Sequence, residues 1–281
     1  MKPFREFDIN DMKEFEPEAK VGLIATINPE GLPHITLITA LQAKTPSQMI
    51  WAQFTEGMSK KNVRTNPHTA FLIMTLDKAL WRGKATWTHL AKEGEDYEMF
   101  NKKPMFRYNA YLGIHTVYYM DLVETYGREK LPLANIVLAS LLTGAAKSGA
   151  GTDAGEQILR PWGEGLFNRL SSLKFIAWVG EDGFPCITPL IQCRAADSRR
   201  LVFSTAAYGK ELDAIKKGTC VAVFGLTMDM EDILIRGTFM GTRRYRGIKL
   251  GAIDIEWVYN SMPPKAGQIY PEVRLKQVVD F

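Results

Sequence analysis

A serine followed by two lysines is the feature of this sequence best suited to bind an anion. Ser59, Lys60 and Lys61 open a segment of helical composition, residues 59–67, in which Ser59 is placed as the helix N-cap. A helix N-terminus offers free backbone N–H groups and a favourable dipole, so these side chains could hold a phosphate there. The alternative interpretation is a solvated N-cap flanked by surface lysines.

Motifs for several other chemistries are missing. Residues 144–148 lack the glycine before Lys147 that a P-loop requires, and residues 149–155 follow a predicted helix, whereas a dinucleotide fingerprint follows a strand. The histidines form neither HExxH nor a Cys/His spacing, so we expect no metal site; they are His34, His68, His89 and His115. No nucleophile and base pair is evident either, and we assign no catalytic residue. A bound cofactor would therefore carry the chemistry.

The composition is that of an ordinary globular protein. Hydrophobic residues make up 46% and charged residues 23% of the 281 residues, which argues against disorder. The net charge of +4 is too small for a nucleic-acid stripe, so we expect no nucleic-acid partner and favour a small anionic ligand.

Several features favour a cytoplasmic protein without a membrane span. The three cysteines cannot pair completely and are interpreted as reduced thiols. Residues 1–10 lack the apolar region of a secretory signal. The longest apolar run, residues 131–146, is too short to cross a bilayer and is predicted to form a connecting helix.

The elements that would position the Ser59 helix occur twice. Each is a short run rich in Val, Ile, Phe, Trp and Thr between turn residues, which predicts strands of a small barrel. The repeated pairs, in order, are 23–36 and 175–188, 49–53 and 201–205, 70–74 and 221–225, and 80–85 and 234–239. Residues 209–217 occupy the same slot in the second copy that residues 59–67 occupy in the first. We therefore predict a duplicated domain with a short helix in each copy.

Three elements of the first copy, residues 30–36, 59–67 and 82–85, resemble the pyridoxamine 5'-phosphate oxidase-like, FMN-binding split-barrel superfamily in a tandem single-chain form. The resemblance covers roughly residues 20–125 and 170–265. It implies a mainly β fold with two tandem split β-barrels packed as an intramolecular pseudo-dimer. The expected domains are a first barrel at 1–125, a helical and Gly-rich linker at 126–169, and a second barrel at 170–281.

The same resemblance implies further cofactor-binding residues. The family often places groups facing the flavin phosphate or ring at the positions of Thr36, Gln53, Thr188 and Thr205, although threonine is also common in strands for its β-propensity. Lys210 is the candidate in the second copy.

One departure concerns the helix. The basic residue usual in the family would fall on Ser59, with Lys60 and Lys61 displaced along the segment. Four aromatic residues could stack on the flavin ring, although core packing is the commoner fate of such side chains; they are Trp51, Trp81, Trp257 and Tyr259.

The resemblance implies an FMN-binding oxidoreductase or flavin electron-transfer protein, with the flavin at the seam between the barrels. Its partner would be a small-molecule redox substrate or electron donor. The alternatives are a non-enzymatic haem or flavin binding or storage protein, and a reductase that uses the deazaflavin F420. The fused chain would be a monomer acting as a pseudo-dimer, or a homodimer. The divergence between the copies favours one working site.

Overall fold

The computed structural model describes residues 3–53, 57–103, 113–152, 155–260 and 267–271. The regular structure of these residues is mainly β, with two antiparallel sheets of eight strands each. The predicted fold class, mainly β with two tandem split barrels, is confirmed.

The first sheet has the strand order β2-β1-β5-β6-β7-β4-β3, and β8 pairs with β6. Its strands are β1 Val21–Ile27, β2 Pro33–Leu37, β3 Gln42–Thr45, β4 Gln48–Gln53, β5 His68–Met74, β6 Ala79–Ala91, β7 Thr116–Thr125 and β8 Glu129–Lys130. Three helices accompany it, namely α1 Ile9–Met12, α2 Met58–Thr65 and α3 Glu95–Lys102.

The second sheet has the order β10-β9-β13-β14-β15-β12-β11, and β16 pairs with β15. Its strands are β9 Leu173–Val179, β10 Pro185–Pro189, β11 Arg194–Ala195, β12 Arg200–Phe203, β13 Cys220–Leu226, β14 Asp232–Tyr245, β15 Ile248–Asn260 and β16 Gly267–Tyr270. The remaining helices are α4 Leu133–Ala146, α5 Pro161–Asn168 and α6 Gly209–Asp213. The first seven strands of the two sheets thus follow the same order.

A pair of glycines shows why the repeat includes an Arg-Gly step. A Cβ atom on Gly83 would lie 2.0 Å from the carbonyl oxygen of Glu124, and one on Gly237 would lie 2.0 Å from that of Asp254. Any larger residue would force the two adjacent strands apart. The glycine is therefore required in both copies by the same close approach of backbone to backbone.

The chain divides into two compact units. Unit 1 comprises residues 1–132 and 177–188, and unit 2 comprises residues 133–176 and 189–281. The turn and most of the β9–β10 hairpin thus belong to the first unit, although the hairpin lies in the second half of the sequence. The boundaries expected from the sequence stay predictions.

The core of unit 1 is aromatic. Trp51 stacks on Tyr118 at 4.0 Å between ring centroids, and the indole N–H of Trp81 donates to Asp11 at 2.9 Å. Both tryptophans are fully buried, together with Phe15 and Phe71. Trp51 and Trp81 therefore pack in the core, which is the commoner location of aromatic residues.

The two short helices differ from the sequence prediction at their ends. Helix α2 begins at Met58 with Gly57 as N-cap, so the placement of Ser59 as N-cap is wrong. Helix α6 ends at Asp213, four residues before the predicted end of its segment. The predicted connecting helix in residues 131–146 is observed as α4.

Candidate functional site

Four hydroxyl and amide side chains meet where helix α2 packs on strands β1 and β2. Asn62 donates to Thr26 Oγ1 at 3.0 Å, and Thr26 donates to Ser59 Oγ at 3.5 Å. Ser59 Oγ lies 2.6 Å from Thr36 Oγ1. These contacts bring together Ser59 and Thr36, two of the residues predicted to bind the cofactor.

The first two hydrogen bonds of this chain have a direction. The amide of Asn62 can only donate to Thr26, so the proton of Thr26 is directed to Ser59. Ser59 and Thr36 then share a hydrogen bond in which either hydroxyl can donate. Asn62, Thr26 and Ser59 are buried, whereas Thr36 is half-buried. Thr36 is therefore the end of the chain that a ligand can reach.

The strand register explains how Thr26 and Thr36 come to share a face. Thr26 pairs with His34, and Ile24 pairs with Thr36, across β1 and β2. Side chains two residues apart on a strand point to the same side, so Thr26 and Thr36 are diagonal neighbours under α2. Asn62 and Thr26 were absent from the sequence prediction. The register of the hairpin is the signal that could have found Thr26.

The N-terminus of α2 carries one buried lysine. Gly57, the N-cap, has no side chain to cap the helix. The ammonium group of Lys60 lies 3.3 Å from the point where a Cβ atom on Gly57 would stand, which places its charge beside the first turn. Lys60 is 8% exposed, whereas Lys61 is exposed to solvent. The structure thus separates two lysines that the sequence could not distinguish.

Three other predicted site residues lie elsewhere in the chain. Gln53 is the last residue of β4, opposite Thr116, and its side chain lies outside the described residues. In unit 2, Thr205 is half-buried and Lys210 is exposed on the five-residue helix α6.

The loop that precedes α6 is filled by another side chain. The fully buried Gln192 donates to the carbonyl oxygens of Ser204 at 3.0 Å and Ala207 at 3.4 Å. The backbone N–H of Ser204 donates to Thr143 of helix α4 at 2.9 Å. In the second copy, side chains of unit 2 thus satisfy the backbone hydrogen-bonding groups of the loop before α6.

Thr188, another predicted site residue, is bound by an arginine of unit 1. Arg82 donates to Thr188 Oγ1 at 2.9 Å and holds Glu129 through two hydrogen bonds of 2.9 and 3.0 Å. Both charged side chains are almost wholly buried. Two parallel hydrogen bonds between an arginine and a carboxylate fix the geometry of the pair and also bring the opposite charges together. Thr188 thus ties β10 to Arg82, and sequence reasoning missed both Arg82 and the partner of Arg82, Glu129.

Further contacts hold the tip of the same hairpin within unit 1. Lys84 lies 2.7 Å from Asp182 and 2.8 Å from Glu124. Burial works to lower the pKa of Lys84, but the hydrogen bonds to the two carboxylates outweigh it and the pKa is raised. The ring of His68 stacks on Phe184 at 3.9 Å, and its Nδ1 lies 3.1 Å from the carbonyl oxygen of Gly183.

The two aromatic candidates of unit 2 stack on each other. The rings of Trp257 and Tyr259 are 5.2 Å apart and nearly parallel, and the guanidinium of Arg236 lies 3.9 Å from the Trp257 ring. The indole N–H of Trp257 donates to Gln268 at 2.9 Å. These contacts position both rings within the unit.

Comparison with known families gives a match within the first half of the chain. Residues 10–123 match the family model described as pyridoxamine 5'-phosphate oxidase. No curated protein matches the chain.

Solved structures match a little under half of this chain each. Group A Streptococcus HupZ is 17% identical, and its match covers 43% of this chain and 93% of that protein at a TM-score of 0.36. An FMN-binding protein from Syntrophomonas wolfei is 12% identical, and its match covers 43% of this chain and 84% of that protein at a TM-score of 0.36. A Clostridium acetobutylicum protein of the pyridoxinephosphate oxidase family, related to general stress protein 26, is 12% identical. Its match covers 43% of this chain and 87% of that protein at a TM-score of 0.34.

Among the residues that the structure describes, none of the helices has both the length and the apolar character needed to cross a bilayer.

Proposed function

We propose that this chain, whose residues 10–123 match the pyridoxamine 5'-phosphate oxidase family model, binds FMN and acts as a flavin-dependent oxidoreductase or electron-transfer protein. The phosphate of FMN would lie at the N-terminus of α2 in unit 1. The observation that carries the proposal is the placement of Lys60, whose ammonium group stands beside the uncapped first turn of α2.

The residues at this position fit a phosphate group. The first N–H groups of a helix have no partner within the helix, and a glycine N-cap supplies none from its side chain. The helix dipole adds partial positive charge at the same end. Lys60 contributes a positive charge, and Thr36 contributes a half-buried hydroxyl that is hydrogen-bonded to Ser59. An anion with several acceptor oxygens satisfies all of these donors together.

Each side chain has a separate part in the proposed site. Lys60 would neutralise the phosphate, and Thr36 would donate a hydrogen bond to one of its oxygens. Ser59 is fully buried and would position Thr36 without touching the ligand. Bound FMN would supply hydride or single-electron transfer, which explains why the sequence offers no nucleophile and base pair.

The differences between the copies support one flavin site in the chain. Helix α6 has five residues against eight in α2, and its N-cap, Tyr208, has a left-handed backbone with φ of 56°. Lys210 points into solvent, and Gln192 occupies the loop carbonyls. Unit 2 thus lacks, among its described residues, a buried lysine at the start of this helix.

A visible absorption spectrum tests the proposed function. We expect purified protein, as isolated or after incubation with FMN, to show bound-flavin absorbance at about 450 nm that bleaches with NADH, NADPH or a low-potential donor. Mass spectrometry of the ligand released by heating should give FMN. Protein that stays colourless with FMN would contradict the proposal. So would release of F420 or haem, or bound flavin that resists all of these reductants.

A further inference from the structure

Helix α4 presents an apolar surface to solvent. Its large aliphatic side chains are about half exposed or more, with Leu133 at 48%, Val137 at 59%, Leu138 at 52% and Leu141 at 67%. A surface helix of a globular protein normally turns polar and charged residues outward. None of the residues from Leu133 to Ala146 carries a charge. The outer face of α4 therefore lacks what usually keeps a helix solvated.

The inner face of α4 already has its partners. Ile136, Ala139, Thr143 and Ala146 are buried, and the helix packs on β12 and β15 in unit 2. At 100° per residue these four positions lie on the side opposite Leu138 and Leu141. The exposed leucines are therefore not needed to attach the helix to its own sheet.

The outer face has the spacing of a helix-pairing seam. Ala134, Leu138, Leu141 and Ala145 are all exposed and follow one another at intervals of four, three and four residues. This is the spacing of a coiled-coil contact line. We call these four residues the α4 seam. Gly144 and Val137 flank it on one side, and Asn135 flanks it on the other.

The α4 seam is also symmetric about its own midpoint. Read in either direction, its residues are Ala, Leu, Leu, Ala. In an antiparallel pair of identical helices, Leu138 would therefore meet Leu141 of the other copy, and Ala134 would meet Ala145. A twofold interface requires such self-complementarity, because the same patch must fit itself. Alanines at both ends also allow the two helices to approach closely.

The geometry points to a homodimer in which two copies of this chain pack antiparallel through the α4 seam. This assembly is independent of the flavin site in unit 1. The absence of charge favours a second copy, because two like faces meet without repulsion. A strongly charged partner would find no counter-charge on this face.

The size of the patch fits a dimer of moderate affinity. The exposed fractions of the four aliphatic side chains leave on the order of 350 Å² of apolar surface, within the ~300–600 Å² of the largest patch on a typical monomer. Two copies would bury at most about twice that area from these residues, because Leu133 lies off the seam, and this is below the ~1,200–2,000 Å² of standard interfaces. The dimer should therefore dissociate on dilution.

Sedimentation velocity of the full chain between about 1 and about 100 μM tests the proposal. We expect the mass to rise with concentration from 31.7 kDa toward twice that value. Leu138→Lys together with Leu141→Lys should stay at 31.7 kDa throughout, and the uncharged pair Leu138→Gln with Leu141→Gln should weaken association at least tenfold. Asn135→Lys, off the seam on the same helix, should associate like the wild type.

Two results would overturn the proposal. One is a wild-type chain that stays at 31.7 kDa across the range, which would mean that another segment of the chain or a lipid covers the α4 seam. The other is a Leu138→Lys, Leu141→Lys variant that remains folded by circular dichroism and still dimerises.

Disulfide trapping then tests the register. In a mixture of Leu138→Cys protein and Leu141→Cys protein, the antiparallel arrangement predicts a 138–141 crosslink between chains, identified by peptide mass spectrometry. Crosslinks of 138 to 138 in place of this would contradict the antiparallel pairing.

Discussion

The hydroxyl oxygens of Thr36 and Ser59 lie 2.6 Å apart and join strand β2 to helix α2. This contact couples a half-buried hydroxyl to a chain of buried donors that starts at Asn62. The contact thereby holds the Thr36 side chain in place before any ligand arrives. A pre-positioned hydroxyl costs less to engage than one that must first be ordered.

Replacing Thr36 by valine should weaken FMN binding about tenfold, because one hydrogen bond to a charged oxygen is lost at nearly constant shape. Thr36→Ser retains the hydroxyl and should bind within about twofold of the wild type. Fluorescence titration of FMN measures both. Equal affinities for the valine and serine variants would remove Thr36 from the site.

Lys60→Ala should lower FMN affinity more than tenfold, above about 1.4 kcal/mol, since it removes the buried positive charge at the first turn of α2. Lys61→Ala should change the affinity less than about twofold, because Lys61 is exposed. The two variants are adjacent and chemically identical, so each controls for the other. Equal losses for both would show that binding depends on overall charge and not on this geometry.

The repeat and the turn residues made the fold predictable. The glycines of the two matching hairpin turns, Gly31 and Gly183, have φ values of 77° and 78°. Only a residue tolerant of the left-handed region suits those positions, so the pattern in the sequence reports the backbone directly. The Arg-Gly steps at Gly83 and Gly237 carry the same kind of information. Alternation of apolar residues supplied the strands between them.

The site was only partly predictable. The pairing of Thr36 with Ser59 depends on the register of β1 and β2 against α2, which no local pattern states. Lys60 and Lys61 are equivalent in sequence, and only the exact start of α2 decides which is buried. The hydrogen bond from the distant Arg82 to Thr188 was likewise not predictable, and the assignment of Thr188 to the cofactor stays a prediction. Long-range contacts of this kind follow from tertiary packing.

Arg82→Ala should lower the free energy of unfolding by about 3–5 kcal/mol, because it leaves Glu129 buried without its cation. Replacing both residues, as Arg82→Met with Glu129→Met, should recover much of that loss. The exposed pair of Lys102 with Glu98 offers a matched control, and Lys102→Ala should change stability by less than about 0.5 kcal/mol. Urea denaturation measures all three. An Arg82→Ala effect as small as that of Lys102→Ala would contradict the anchoring role.

The buried Lys174 should make stability rise with pH. Burial lowers its pKa to about 8, whereas in the unfolded chain the pKa is about 10.4. Between these values the unfolded chain holds more protons than the folded one, so raising the pH stabilises the fold. Below the folded pKa the lysine is charged in both states, and the full penalty of burying the charge is present.

Lys174→Met removes this titration, so comparison with the wild type isolates the contribution of Lys174 to stability. From about pH 7 to about pH 9.5, the free energy of unfolding of the wild type should increase relative to that of Lys174→Met by about 2 kcal/mol. Denaturant titrations at the two pH values give the difference, in which other titrating groups cancel. A constant difference would mean that Lys174 keeps an ordinary pKa in the folded protein.

Comparison of FMN with riboflavin tests the phosphate site most directly, because the two ligands differ only by the phosphate. Isothermal titration of the wild type should show FMN binding at least tenfold more tightly than riboflavin. In Lys60→Ala that ratio should fall toward one, while the affinity for riboflavin stays nearly unchanged. A ratio that is the same in the wild type and in Lys60→Ala would show that the phosphate does not lie at the N-terminus of α2.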